Sequence, residues 1–352
     1  MYVIVLVAGL VYLASAKFSV SDLSSYGTAL YRTIDPRVDD LIKSLDPASR
    51  IQPWQLGNLV GGDMTLPIPK LQNALVGNSS SYFRWPNATV IYSLDGSFNN
   101  TELLNIYGAM REFEKYTCVR FKKRGTETAY VSIDNAQYGC WADVGRGRGK
   151  TRVHLQPGCA NALTTPIHEL MHALGFHHEH NRLDRDDYIE VIYDHMIPDP
   201  SVYFNFQLVE ETETTNFSVP YDIGSIMHYL NTSFSVKPQT LRTMEPLIPW
   251  NGTFGQGPTL TKYDALLINI MYCGVPEPTE PLPVPHGWIP AEPIKKVSTT
   301  TPATSTTKKT VNVKKTTAFM KMSNSNKQKM EEDLKKILDS RKGLGSKPVL
   351  RN

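Results

Sequence analysis

Apolar positions give the first reading of the chain. Residues 101–116 carry Leu104, Tyr107, Met110 and Phe113 at helical spacing with polar residues between them, which predicts an amphipathic helix. Around it, 88–94, 119–123 and 130–134 are rich in β-branched and aromatic residues over strand-length runs. Residues 151–155 read as a further strand, placed at a sheet edge, and 163–174 as a second helix. Past Gly175 no periodicity persists until 262–272, where Thr261 and Asp264 have the spacing of a helix cap. Leu266, Leu267 and Ile270 are expected to face inward from that last helix. Regular elements in the first half and loops in the second describe an α+β domain.

The ends of the chain follow different rules. An apolar run from Val3 to Leu13 is too short to span a bilayer and is followed by Ala14-Ser15-Ala16, so 1–16 reads as a secretory signal peptide. No other apolar run is long enough to cross a membrane, so stable insertion is not expected. Residues 73–273 are long enough for a substantial core of their own. After Cys273 the composition changes: seven prolines fall between 276 and 293, and 298–317 is rich in Thr, Ser and Lys. Met330, Leu334, Ile337 and Leu338 form a lone apolar stripe too short to hold a helix firmly by itself. Residues 274–352 are therefore expected to be a disordered tail.

Charge and cysteines refine this picture. The net charge is only +3, which does not suggest a nucleic-acid binder. It is unevenly spread: 274–352 holds 15 Lys and Arg against 7 Asp and Glu, a surplus of +8 that leaves the remainder at −5. Such a tail suits anionic matrix polysaccharide or simple solvation. In an exported chain Cys118, Cys140, Cys159 and Cys273 are expected to be disulfide-bonded, with three pairings open. The sequons at Asn78, Asn87, Asn99, Asn216, Asn231 and Asn251 are then candidate glycan sites and predict surface positions.

The chemistry is concentrated in 168–179. His168 and His172 are four residues apart, so a helix puts both imidazoles on one face, where they can hold one zinc ion. Glu169, one step round the helix, is placed to reach a water without occupying a coordination position. Gly175 can turn the chain back, and His178 then arrives as a third ligand. A bare His-Glu-x-x-His is weak, but its extension through Gly175 and His178, followed by a Met-containing turn at Met227, is the metzincin pattern. That pattern specifies a zinc hydrolase. An inert binding protein on the same scaffold would lack a ligand or the acid, and none is missing.

Residues 168–188, HELMHALGFHHEHNRLDRDDY, resemble the zinc signature of the astacin family of metalloendopeptidases, and 221–235, YDIGSIMHYLNTSFS, resemble that family's Met-turn. The segments 139–159, GCWADVGRGRGKTRVHLQPGC, and 254–273 extend the likeness over about 73–273. The resemblance implies a metzincin fold, with a twisted mixed sheet and the active-site helix in an upper half. Its lower half is irregular and ends in a helix. It implies one zinc on His168, His172 and His178, Glu169 as general base, and Tyr229 as a fifth ligand that later supports the oxyanion. Met227 is implied to floor the site, and Glu179 to meet the mature amino terminus. It also implies Cys118–Cys273 and Cys140–Cys159 bridges. His177, His180 and His228 need not touch metal.

By the same likeness 17–72 is a propeptide in which Asp63 occupies the zinc. Val60-Gly61 stand where the family usually has Phe-Glu. Asn73 is the expected mature start, released by an activating protease, although Gln72 stands where arginine is common. Protein or peptide substrates are expected to lie extended along the strand containing 152–155. Lys237 and Arg242 are candidates for a pocket favouring acidic side chains. The whole reads as a secreted, extracellular endopeptidase made as a zymogen.

Overall fold

The computed structural model describes residues 37–45, 53–57, 59–65, 83–209, 215–255 and 257–294. The signal peptide, Asn73, Asn78 and the stripe at 328–341 lie outside the described residues. Among those described, no helix is long and apolar enough to cross a membrane.

Two short elements precede the main domain: helix α1 (Arg37–Lys43) and strand β1 (Met64–Thr65). Strand β2 (Thr89–Leu94) leads into helix α2 (Asn100–Tyr116), followed by β3 (Arg120–Lys123), β4 (Tyr130–Asp134), β5 (Cys140–Asp143) and β6 (Lys150–Leu155). Helix α3 (Thr164–Ala173) carries His168 and His172. The second half holds β7 (Ile189–Val191), α4 (Pro200–Asn205), β8 (Met244–Pro246) and α5 (Lys262–Cys273). Asn99 and Glu102 form a reciprocal capping box that starts α2. The buried stripe of that helix is Leu103, Ile106, Met110 and Phe113, whereas Leu104 and Tyr107, expected in the stripe, are only half-buried.

The main sheet runs β1-β5-β6-β4-β2-β3 and is mixed, all pairs being parallel except β5 with β6. This corrects the edge position expected for 151–155. Strand β6 is flanked on both sides, by β4 and by β5, the latter a strand that pattern reading did not find. Cys140, Trp141 and Ala142 are all buried, so β5 shows no alternation to detect.

The upper core joins the sheet to α2, α3 and α5 through residues such as Phe113, Ile133, Ile167, Leu170 and Ile268. A second cluster around Ile189, Phe206, Tyr221, Ile223 and Tyr229 fills the loop-rich half. Both disulfides form as the resemblance implied, Cys118–Cys273 and Cys140–Cys159.

Helix α5 starts at the expected box, Thr261 with Asp264, and stops at Gly274 with φ +69°. Its inward face is Tyr263, Leu267, Ile268 and Met271, while Leu266 and Ile270 are half-buried. The proline-rich stretch that follows, expected to belong to a disordered tail, holds no helix over the described 274–294 and lies against the domain. The Lys262 N–H donates to the Ile289 carbonyl (2.8 Å), the Ile294 N–H to that of Lys115 (3.1 Å), and Ala291 is buried. Four sequon asparagines, Asn87, Asn99, Asn216 and Asn251, are exposed, and Asn231 is half-buried.

Candidate metal centre

Helix α3 is held at its C-terminal end by two long-range hydrogen bonds. Near its end the Trp85 indole N–H donates to the Ala173 carbonyl (2.9 Å), and the Gly145 N–H of the β5–β6 turn donates to that of His172 (2.9 Å). Gly175 has φ +106°, a conformation that L side chains rarely adopt, and it reverses the chain so that His178 returns beneath the helix.

The Nε2 atoms of His168 and His172 are 3.2 Å apart, as are those of His168 and His178. Bonds of 2.0–2.1 Å to a tetrahedral zinc place neighbouring donor atoms about 3.3 Å apart, so both of these pairs already stand at the right separation. Asp63 completes the set, its oxygens 3.0 Å from His168, 3.3 Å from His178 and 3.6 Å from His172. All four side chains are buried, with their donor atoms within 4.8 Å of one another.

The opposite ring nitrogens of two histidines are fixed: His168 Nδ1–H donates to the Ile226 carbonyl (2.8 Å) and His172 Nδ1–H to that of Phe176 (2.7 Å). These bonds select the tautomer that points the Nε2 lone pair at the metal. Burial pushes the His168 imidazole down to about 4, leaving the neutral form that ligates. For Asp63, burial acts upward, but His178, His172 and the His168 hydrogen bond outweigh it and hold the carboxyl well below its usual range.

Glu169 lies beside this set, fully buried, and neither of its oxygens has a hydrogen-bond partner. Burial, and after it the Asp63 carboxylate, pushes its carboxyl well above the usual range. A buried carboxyl without a protein partner suits a proton acceptor for a reacting molecule.

Tyr229 is buried, stacks on His180 at 3.8 Å between ring centroids, and donates its hydroxyl hydrogen bond to the Gly61 carbonyl. Met227 is buried within the upper core, and its carbonyl accepts from the Glu179 N–H (3.0 Å). Glu179 is itself buried, accepting from Arg182 and from the Asp222 N–H, both at 2.9 Å, so it is not a surface ion pair. Burial, opposed by Arg182, pushes its carboxyl up to about 7.

The segment carrying Asp63 packs on the histidines and on β5 through contacts that pattern reading missed. Trp54, wholly buried, stacks on the His168 ring at 4.3 Å, and Gln55 Oε1 accepts from the Ser233 hydroxyl (2.7 Å). Strand β1 pairs parallel with β5, with the Ala142 N–H donating to the Asp63 carbonyl (2.8 Å). Gly61 explains its own departure from the usual glutamate. With φ +59°, a Cβ there would lie 2.8 Å from His178 Nδ1. Neither Trp54 nor Gln55 belongs to a local pattern; only their docked position gives them a role. Lys237 is exposed and Arg242 pairs with Glu245 (3.0 Å) on the surface, so neither is drawn into the histidine cluster.

The model of the peptidase family described as Astacin matches residues 77–273. The zinc metalloproteinase nas-8 of Steinernema carpocapsae is 35% identical over 203 residues, 57% of this chain and 47% of that protein. High choriolytic enzyme 1 of Oryzias latipes is 33% identical over 219 residues, 61% of this chain and 77% of that protein. The solved structure of that hatching enzyme zinc-protease aligns with TM-score 0.51 and 31% identity, over 56% of this chain and 97% of the other. The match thus spans about half of the nas-8 protein and most of the hatching enzyme.

Proposed function

The chain belongs to the astacin family of zinc metallopeptidases, and on that footing we propose that it is a secreted endopeptidase made as a zymogen, with Glu169 as its general base. Three histidine nitrogens at zinc spacing beside an unpartnered buried carboxyl carry this reading. Zinc on those nitrogens supplies a Lewis acid that lowers the pKa of water toward about 7 and polarises a carbonyl oxygen.

The remaining work falls to the protein. Glu169 takes the proton of the attacking water and returns it to the leaving amine, a role that contributes about 10²- to 10⁴-fold. Tyr229, freed from Gly61, aims its hydroxyl at the oxyanion. A substrate backbone adds to the edge of β5 that β1 covers in this structure, pairing antiparallel to 140–143. The covering segment runs parallel to β5, so its backbone direction is opposite to that of such a substrate.

Latency rests on Asp63, which takes the position the water needs, with Trp54 and Gln55 closing the cleft around it. A second protease cutting before Asn73 would release this segment, and Glu179 would then meet the new amino terminus. Extracellular proteins are the intended substrates. The surplus positive charge of 274–352 suits contact with anionic matrix. Casein or gelatin hydrolysis by the processed chain, with Glu169→Ala as control, tests the reading. Equal activity in that variant would remove Glu169 from the mechanism.

A further inference from the structure

His168 is tied to a buried carboxylate on a different element, through a path no pattern in the sequence announces. Its Nδ1–H donates to the Ile226 carbonyl (2.8 Å). That carbonyl shares one peptide group with the Met227 N–H, which donates to the Ser225 hydroxyl oxygen (3.1 Å). The Ser225 O–H in turn donates to Asp264 Oδ1 (2.6 Å). Every donor in the series points the same way, from the imidazole toward the carboxylate, which is the arrangement in which successive hydrogen bonds polarise one another. All the residues involved are buried, so water does not compete for these bonds.

We propose that Ser225 and Asp264 are positioning residues for the metal, forming with the 226–227 peptide and His168 an extended version of the carboxylate–histidine–zinc arrangement. This rests on the zinc reading above and says which groups outside the ligand set tune it. A carboxylate that bonds a ligating histidine orients the ring and raises the basicity of its metal-facing nitrogen. Here the carboxylate acts at a distance, with an amide and a hydroxyl as relays.

Asp264 has a second task that must be separated from this one. Its other oxygen accepts from the Ile226 N–H (3.1 Å) and the Thr261 N–H (2.9 Å), and its own N–H donates to Thr261 Oγ1 (3.0 Å), completing the cap of α5. Losing the cap alone would destabilise the helix and leave the relay to His168 in place. Thr261→Ala does that. Ser225→Ala does the reverse, cutting the relay while the cap stays. Asp264→Asn keeps one oxygen for Ile226 and Thr261, but turns an amide N–H₂ toward Ser225, which then has no acceptor for its proton.

The test uses the full chain, with zinc affinity from chelator competition and cobalt(II) substitution read by its d–d absorption bands. Thermal unfolding of each variant is followed in parallel. Ser225→Ala and Asp264→Asn are each expected to weaken zinc binding about tenfold, the low end of the range for groups behind a ligand, and to shift the cobalt bands. The double variant is expected to lose no more than either single one, because both break one series. Thr261→Ala should bind zinc as the wild type does while unfolding at a lower temperature.

Wild-type affinity and unchanged bands in Ser225→Ala would overturn the assignment, and so would additive losses in the double variant. Equal weakening in Thr261→Ala would do the same, since affinity would then merely follow stability. Should Asp264→Asn not fold, Ser225→Ala against Thr261→Ala decides alone. A wild-type chain that binds no zinc would overturn the proposed function itself, whereas a tight wild-type site matched by Ser225→Ala would overturn this inference only.

Discussion

Replacing Asp63 by alanine should give an enzyme that works before it is cut. In the intact chain the Asp63 carboxylate sits 3.0–3.6 Å from three buried imidazole nitrogens and is itself inaccessible to solvent. Removing one partner from a buried charged set of this kind costs about 3–5 kcal/mol. At 1.36 kcal/mol per decade, that shifts the balance between closed and open cleft by roughly two to four orders of magnitude. The segment would not fall away. Its β1–β5 pairing, the Trp54 stack on His168 and the Gln55–Ser233 bond all survive the substitution.

The expected phenotype is therefore partial release. Uncut Asp63→Ala chain should cleave a quenched fluorescent peptide at least a hundredfold faster than uncut wild type, and Asp63→Asn should fall between them. A gel must show that the chain is whole, and the added substitution Glu169→Ala should abolish the signal. An uncut Asp63→Ala chain as inert as wild type, alongside active trimmed enzyme, would refute the assignment of latency to this carboxylate.

Further outcomes follow from the site. Glu169→Gln should keep zinc content and fold while lowering kcat about 10²- to 10⁴-fold, measured on the processed enzyme. Tyr229→Phe should lower kcat about 10²- to 10³-fold with little change in KM, the pattern of a donor used in the transition state. Asp222 offers a pH test away from the metal. Burial, and next the neighbouring Asp264, pushes its carboxyl up to about 8 from an ordinary 3.8. The folded state thus holds a proton that the unfolded chain releases. Its stabilising effect is complete below about pH 4 and is lost as pH rises toward 8. Asp222→Asn should therefore gain stability relative to wild type between pH 5 and 9 in urea unfolding; a constant difference would contradict the shift.

How much of this was legible in the chain depends on the distance over which each feature is encoded. His168, Glu169, His172 and Gly175 form a local code, because helix geometry alone brings i and i+4 together and a positive φ alone ends the turn. The cap of α5 was readable for the same reason: Thr261 and Asp264 answer each other across one turn.

Pairing between distant segments was not readable. Strand β6 looked like an edge because its partner β5 is short, buried at three of its four positions, and holds a cysteine and a tryptophan rather than an alternating run. On α5 Leu267 is buried as expected, while Leu266 and Ile270 pack only partly against the core. Tyr263, Ile268 and Met271 complete the inward face, which Asp264 helps orient by reaching to Ser225 and Ile226 some 38 residues earlier. Trp54 and Gln55 carry no local mark at all. They matter only because the folded domain presents His168 and Ser233 to receive them. The stretch after Cys273 makes the same point: its composition suggested a disordered tail, but the Ile289 and Ile294 contacts that lay 274–294 along the domain are made with residues further back in the chain.

Metal content measured together with proteolysis tests the centre of the account most directly. Folded, processed enzyme should contain one zinc per chain by elemental analysis, lose casein hydrolysis when a chelator strips it, and regain it on zinc addition. Metal-free protein that still cleaves, or proteolysis indifferent to the chelator, would contradict a mechanism built on His168, His172 and His178.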